Sequence, residues 1–188
     1  MTDFNPNAHL DFDVDTLSGM VPIRQVVFSI GSNLGDRLAY LQGAVDLLRN
    51  TPTLSIADIS PVYETAPVGP VEEQPDFLNI IVRADSTLAS LVLLERAQAI
   101  EKNFLRTREV PGGARTLDVD LITVGDRIKE TPELTLPHPR AHQRAFVLVP
   151  WLDIDPDAAL PALGRVAELL RDVDTSGVRR RDDLVIDL

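Results

Sequence analysis

Gln25-Val26-Val27-Phe28-Ser29-Ile30, continued by Gly31-Ser32-Asn33-Leu34-Gly35-Asp36, reads as a buried strand that runs into a turn and opens a helix. The β-branched and aromatic run suits a pleated, covered surface. Asp36 stands where a side-chain oxygen can cap the first free N–H groups of a helix. Leu38, Leu41, Val45 and Leu48 then recur at helical spacing until Asn50-Thr51-Pro52 stops them. A glycine-containing turn between strand and helix also raises a phosphate loop. This one lacks the Gly-Lys-Ser/Thr ending and the three-glycine dinucleotide spacing, so a structural turn with a cap is preferred and no nucleotide is placed there.

Outward from this unit, Leu54 to Glu64 and Phe77 to Ala84 read as two further strands. Thr65 to Asp76 joins them as a loop stiffened by three prolines. A second helix is expected from Leu88 to Phe104, with Leu93, Ala97, Ile100 and Phe104 as its apolar stripe and Gln98 and Glu101 beside it. Thr116 to Val124 is a strand, and Gly125-Asp126 a turn that starts a hairpin. Two more helices are expected, one within Gln143 to Leu152, limited by Pro150, and one over Gly164 to Val173. There is no internal repeat. The order strand-helix-strand-strand-helix-strand gives an α+β fold, a ferredoxin-like βαββαβ sandwich with an antiparallel sheet, helices packed on one face, and C-terminal helices added.

Composition bounds the function. The 188 residues are 44% hydrophobic, enough for a sizeable core. A formal charge of -11 argues against a broad nucleic-acid surface, which needs a dense basic footprint. With no cysteine, any metal must be held by oxygen or imidazole. No apolar stretch reaches membrane-spanning length and the N-terminus shows no signal pattern, so a cytoplasmic monomer is expected. Residues 1–22 read as a flexible acidic leader, with Asp3, Asp11, Asp13 and Asp15 uncompensated by lysine or arginine through residue 19, and residues 23–188 as one domain. Met20 is a candidate start.

The chemistry concentrates in Arg115-Thr116-Leu117-Asp118-Val119-Asp120. On a strand, Asp118 and Asp120 share a face about 6 to 7 Å apart, a spacing that suits one or two hard divalent cations, although a solvated strand face has the same pattern. Arg106, Arg108 and Arg115 precede the pair, and His138, Arg140, His142 and Arg144 follow it. Guanidinium groups and metals can share a polyphosphate in this way. His138, between Pro137 and Pro139, is either structural or a phosphate contact. Phe77 and Asn79, two apart on a strand, offer stacking and paired hydrogen bonding to a flat heterocycle, or an ordinary core position and a strand-edge amide. Arg179-Arg180-Arg181 is followed by Asp182-Asp183 and is expected to be neutralised locally.

Four blocks, in order, resemble the 6-hydroxymethyl-7,8-dihydropterin pyrophosphokinase family from about Val26 to Pro156. They are Ser29 to Gly35; Tyr63 to Pro67 leading to Gln74 to Asn79; Arg115 to Asp120; and Leu136 to Arg140 ending at Arg144-Ala145-Phe146. The resemblance implies an enzyme that transfers diphosphate from ATP to the pterin hydroxymethyl group and releases AMP, in folate biosynthesis. It implies two magnesium ions on Asp118 and Asp120. It places Gln98, Glu101, Arg106, Arg108, Arg115, Thr135, His138 and Arg144 on the ATP side, and Thr65, Ala66, Val68, Phe77, Asn79 and Phe146 on the pterin side. Arg106 and Arg115 are the expected stabilisers of transition-state charge.

The chain departs from the family pattern in one loop. An arginine-tryptophan pair before glycine-proline is usual there, whereas this chain has Glu109-Val110-Pro111-Gly112-Gly113-Ala114 and is one residue shorter. Phe77 stands where tyrosine is common, and Ala66 replaces a frequent proline. Two other readings stay open: a magnesium-dependent phosphotransferase with another acceptor, and a ligand-binding module of the same fold without catalysis.

Overall fold

The first strand, β1 (Arg24–Ser32), lies between two antiparallel neighbours in a six-stranded sheet. This computed structural model describes residues 21–67, 74–104 and 116–188. The leader expected over residues 1–22 falls almost wholly outside them. Asp36 caps α1 (Arg37–Arg49) as expected, its side chain accepting the Ala39 N–H at 3.1 Å. The chain continues through β2 (Leu54–Ile59), β3 (Tyr63–Thr65), β4 (Phe77–Ser86), α2 (Ser90–Asn103) and β5 (Asp118–Val124). The sheet runs β3-β4-β1-β5, with β2 also on β4, the antiparallel arrangement of the ferredoxin-like plan.

The expected strand from Leu54 to Glu64 is divided. At the division Ser60 exchanges bonds with Ile81, its N–H donating to the Ile81 carbonyl and its Oγ accepting the Ile81 N–H, both at 2.9 Å. Pro61 then has no N–H to continue a ladder, so β3 begins as a separate strand at Tyr63. The turn at Gly125 forms, with φ +56, but the hairpin beyond it is between β6 (Lys129–Glu130) and β7 (Thr135–Leu136), not with β5.

Alternation along the strands divides the sheet into two covered faces. Val26, Phe28 and Ile30 of β1 and Leu78, Ile80 and Val82 of β4 pack with Leu41, Val45 and Leu48 of α1 and Leu93, Ala97 and Ile100 of α2. Val27, Ile81 and Ile122 face the other way, against Val147, Leu148 and Trp151 of α3 (Ala145–Ile154). Helices therefore cover both faces, not one. The two helices of the βαββαβ plan take one side and the C-terminal helix the other.

Pro150 does not end α3, which continues to Ile154. The last expected helix is short. A two-strand ribbon, β8 (Ala159–Leu160) with β9 (Gly164–Arg165), leads into α4 (Val166–Leu169) and a 3-10 turn over Leu170–Asp172. The chain then adds β10 (Val178–Arg180) to the outer side of β3.

Candidate active site

On the α3 side of the sheet, apolar residues give way to polar and small ones toward one end. Strand register places Tyr63, Asn79, Gly31 and Asp118 in one row across β3, β4, β1 and β5. Ile81, Ser29 and Asp120 form the next row. Neighbouring strands lie about 4.8 Å apart, so Asn79 and Asp118 are separated by about 10 Å at the backbone. The residue between them, Gly31, has no side chain. That absence is a close-approach requirement: a Cβ at Gly31 would stand 2.6 Å from Asn79 Oδ1 and 3.6 Å from the Phe77 ring.

Asp118 and Asp120 share this face, as the two-residue spacing predicts. Asp120 Oδ2 accepts the Arg144 Nη1–H at 2.7 Å and lies 3.8 Å from His138 Nε2. Arg144 also stands over Phe146, its guanidinium carbon 5.4 Å from the ring centre, so one cation links the aspartate to the aromatic wall. The N–H of Val119, between the two aspartates, donates to Glu101 Oε1 at 2.9 Å. Glu101 is itself buried, 5% exposed, and satisfies the edge of β5 from α2. Gln98 is exposed one turn earlier.

His138 is fixed by two backbone bonds. Its N–H donates to the Ile122 carbonyl at 2.8 Å, and its ring Nδ1 accepts the Arg140 N–H at 3.2 Å. With Nδ1 occupied as an acceptor, the neutral ring carries its proton on Nε2, facing Asp120. Burial pushes the imidazole below its ordinary value; Asp120 opposes that shift, and Arg144 and Arg140 reinforce it.

Two concavities flank the aspartates. Thr135, His138, Asp120 and Leu94 help line one of about 230 Å³. Thr65, Ala66, Arg144 and Phe146 help line another of about 670 Å³, whose far wall includes Leu169, Val173, Gly177 and Val178. Phe77 and Asn79, on β4, are not part of the lining of either space, and Asn79 joins the second only through Thr65. Asn79 is buried, and its Nδ2 donates to Thr65 Oγ1 at 2.7 Å. Val68, Arg106, Arg108 and Arg115, and the departing loop from Glu109 to Ala114, lie outside the described residues.

Three residues that organise the site were not singled out from sequence. Asn33 is buried, and its Nδ2 donates to Gln74 Oε1 at 3.3 Å and to the Pro75 carbonyl at 3.1 Å, holding the loop that enters β4. Arg37 donates to the Asp76 carbonyl at 2.6 Å and to Glu64 Oε1 at 3.1 Å. Glu64 was legible only as a charge inside a block of otherwise matching residues. Asn33 and Arg37 act across more than 25 residues of chain, which local pattern does not show.

The family model for 7,8-dihydro-6-hydroxymethylpterin-pyrophosphokinase (HPPK) matches residues 27–156. Relatives described as 2-amino-4-hydroxy-6-hydroxymethyldihydropteridine pyrophosphokinase include one from Mycobacterium leprae, 51% identical over 158 residues, covering 78% of this chain and 80% of the relative. Another, from Pseudomonas aeruginosa, is 37% identical over 158 residues and covers 84% and 97%. The one from Bacillus subtilis is 44% identical over 126 residues and covers 67% and 75%. Among solved structures, wild-type Plasmodium falciparum HPPK-DHPS with pterin and p-hydroxybenzoate aligns with TM-score 0.63 at 16% identity, covering 82% of this chain and 44% of that one. That likeness shows the shared α+β fold, and the chain spans under half of the solved protein. The family match over most of the chain and relatives at 37–51% identity show a pyrophosphokinase, and the chain belongs to the HPPK family. Its activity is that of a dihydropteridine pyrophosphokinase of folate biosynthesis.

Proposed function

We propose that the face carrying Asp118, Asp120, Gly31 and Asn79 is where diphosphate passes from ATP to 6-hydroxymethyl-7,8-dihydropterin. One observation carries this reading: the row Asn79-Gly31-Asp118 sets a carboxamide suited to a heterocycle two strands away from a carboxylate pair, with a residue that bears no side chain between them. The pterin ring would lie between Phe77 and Phe146 and bond to Asn79. Its hydroxymethyl group would then project over Gly31 toward the aspartates.

The donor set fits magnesium. Two carboxylates on one face, in a chain without thiolates, supply hard oxygen ligands and leave the remaining positions to water and phosphate oxygens. Asp118 and Asp120 would hold the two ions, and Glu101 would keep both on the same strand edge through the Val119 N–H. Magnesium bound there supplies neutralisation of phosphate charge during the transfer. Among the described residues no group of three or more acidic or histidine side chains is placed to hold a metal.

The pterin hydroxyl oxygen forms a bond to the β-phosphorus as the bond from that phosphorus to the bridging oxygen of the α-phosphate breaks. AMP departs with the bonding pair and the hydroxyl proton passes to solvent. Such transfers depend on positioning and charge stabilisation more than on a side-chain base, and none is assigned. Thr135, His138 and Arg144, with Gln98 at the outer surface, form the nucleotide side of this reading. Arg106, Arg108 and Arg115 are assigned there by sequence position, and Thr65, Ala66 and Val68 to the pterin side. The protein is expected to act as a monomer, and no described helix is long and apolar enough to cross a membrane.

The test is to mix the protein with ATP, magnesium and 6-hydroxymethyl-7,8-dihydropterin and to separate the products. AMP and the pterin diphosphate should form in equal amounts. ADP, or AMP formed without the pterin, would refute the reading.

A further inference from the structure

The basic triplet Arg179-Arg180-Arg181 is neutralised locally only in part. Arg180 Nε donates to Asp182 Oδ1 at 2.6 Å and Arg181 Nε to Asp183 Oδ1 at 2.8 Å, as the sequence pattern suggests. The same arginines also reach distant carboxylates. Arg181 Nη1 donates to Glu64 Oε2 at 2.8 Å, Arg179 Nη2 donates to the same oxygen, and Arg180 Nη1 donates to Asp153 Oδ2 at 3.1 Å.

Register explains the division. Arg179 pairs with Glu64 and Arg180 with Tyr63, so successive arginines of β10 point to opposite faces of β3. On one face Arg179 and Arg181 meet Glu64 beside Arg37 of α1. On the other, Arg180 and the Tyr63 hydroxyl, which donates at 2.6 Å, converge on Asp153 of α3. A three-residue edge strand is thereby fastened to both layers.

We propose that Glu64 is a positioning residue for the pterin substrate, clasping β10 and α1 to β3 so that Thr65 and Asn79 keep their recognition geometry. This rests on the pterin-side assignment made above. Thr65, next to Glu64, accepts from Asn79 and pairs with Val178 of β10. Ala66 donates its N–H to the Gly177 carbonyl at 3.4 Å. Through Arg37 the same carboxylate is joined to the chain entering Phe77. The far wall of the 670 Å³ cavity comes from residues after 156, where the family match ends. The segment that Glu64 holds is therefore part of the pterin enclosure.

An exposed ion pair contributes little, and Arg179, 71% exposed, would carry no such role alone. The Glu64 side chain is 9% exposed, and a carboxylate so covered needs its partners. Burial pushes its carboxyl up, and the hydrogen bonds from Arg179, Arg181 and Arg37 more than reverse this, leaving it below its ordinary value.

The test compares Glu64→Gln, Glu64→Asp and Arg181→Ala with Asn79→Ala, measuring KM for the dihydropterin, kcat, Kd for ATP and melting. Glu64→Gln, which removes the charge that holds all three arginines, should raise the dihydropterin KM about tenfold through the displaced Thr65 and Asn79, with kcat and ATP affinity within about threefold. Arg181→Ala should shift the same constant in the same direction, and Glu64→Asp should recover part of the loss. Should Glu64→Gln not fold, Arg181→Ala carries the test. An unchanged KM in Glu64→Gln while Asn79→Ala raises it would overturn the clasp alone. Equal losses for ATP and pterin with a collapsed melt would also overturn it, as general destabilisation. If Asn79→Ala leaves the dihydropterin KM unmoved, the pterin-side assignment fails and the clasp with it.

Discussion

Gly31→Ala adds one methyl group at the centre of the proposed reaction face. Its Cβ would be 2.6 Å from Asn79 Oδ1, where ordinary contact begins near 3.4 Å, so the oxygen must retreat by about 0.8 Å. Asn79 is buried in the middle of a sheet and has little room to do so. Because β4 lies between β1 and β3, the retreat drives the same carboxamide toward Thr65 and distorts the 2.7 Å bond that its Nδ2 donates there. Overpacking of this kind costs about 1–3 kcal/mol. For a chain of this length Tm falls about 2–4 °C for each kcal/mol, so thermal unfolding should show a clear but survivable drop. The steady-state effect should be selective. The dihydropterin KM should rise about tenfold, in keeping with loss of one recognition bond of roughly 1–1.5 kcal/mol. ATP affinity should hold, because Thr135 and His138 line a different concavity. Wild-type pterin KM together with an unshifted Tm in Gly31→Ala would refute the close-approach argument.

Asp120→Ala should reduce turnover to near background while the variant still melts cooperatively; near-normal diphosphate transfer would contradict the metal assignment. Arg115→Ala should lose mainly the chemical step, read by single turnover, with a smaller change in ATP affinity. Equal loss in both would show a binding role. The Tyr63 phenol is pushed up to about 12, first by burial and then by its bond to Asp153. Because the folded value lies above the unfolded value of 10.0, the unfolded chain ionises first, so this contribution is complete below pH 10 and is lost as pH rises toward 12. Tyr63→Phe should flatten that alkaline loss of stability in denaturant melts, and an unchanged slope would contradict it.

Much of this architecture could be read directly because its cause is local. β1 and α1 show the change from a buried strand to helical periodicity at one turn, and Asp36 caps the helix as its type suggests. The shared face of Asp118 and Asp120 follows from strand alternation alone. The break at Ser60 could not be read, because it depends on a side-chain oxygen replacing a backbone partner of Ile81. β10 was hidden for a similar reason: Val178-Arg179-Arg180 has no apolar alternation, and it becomes a strand by pairing with β3 and by ion pairs reaching residues 27 and 115 positions away. The cover that α3 gives the second face was obscured by Pro150, yet the helix carries on through that residue. Glu101 was placed beside the core stripe of α2, and tertiary packing turned it inward onto the edge of β5.

The most direct measurement is a crystal structure with magnesium, a non-hydrolysable ATP analogue and 6-hydroxymethyl-7,8-dihydropterin bound together. Metal density should lie on Asp118 and Asp120, with the pterin ring between Phe77 and Phe146, bonded to Asn79, and its hydroxymethyl group over Gly31. A pterin bound away from Asn79, or metals held without either aspartate, would contradict the account.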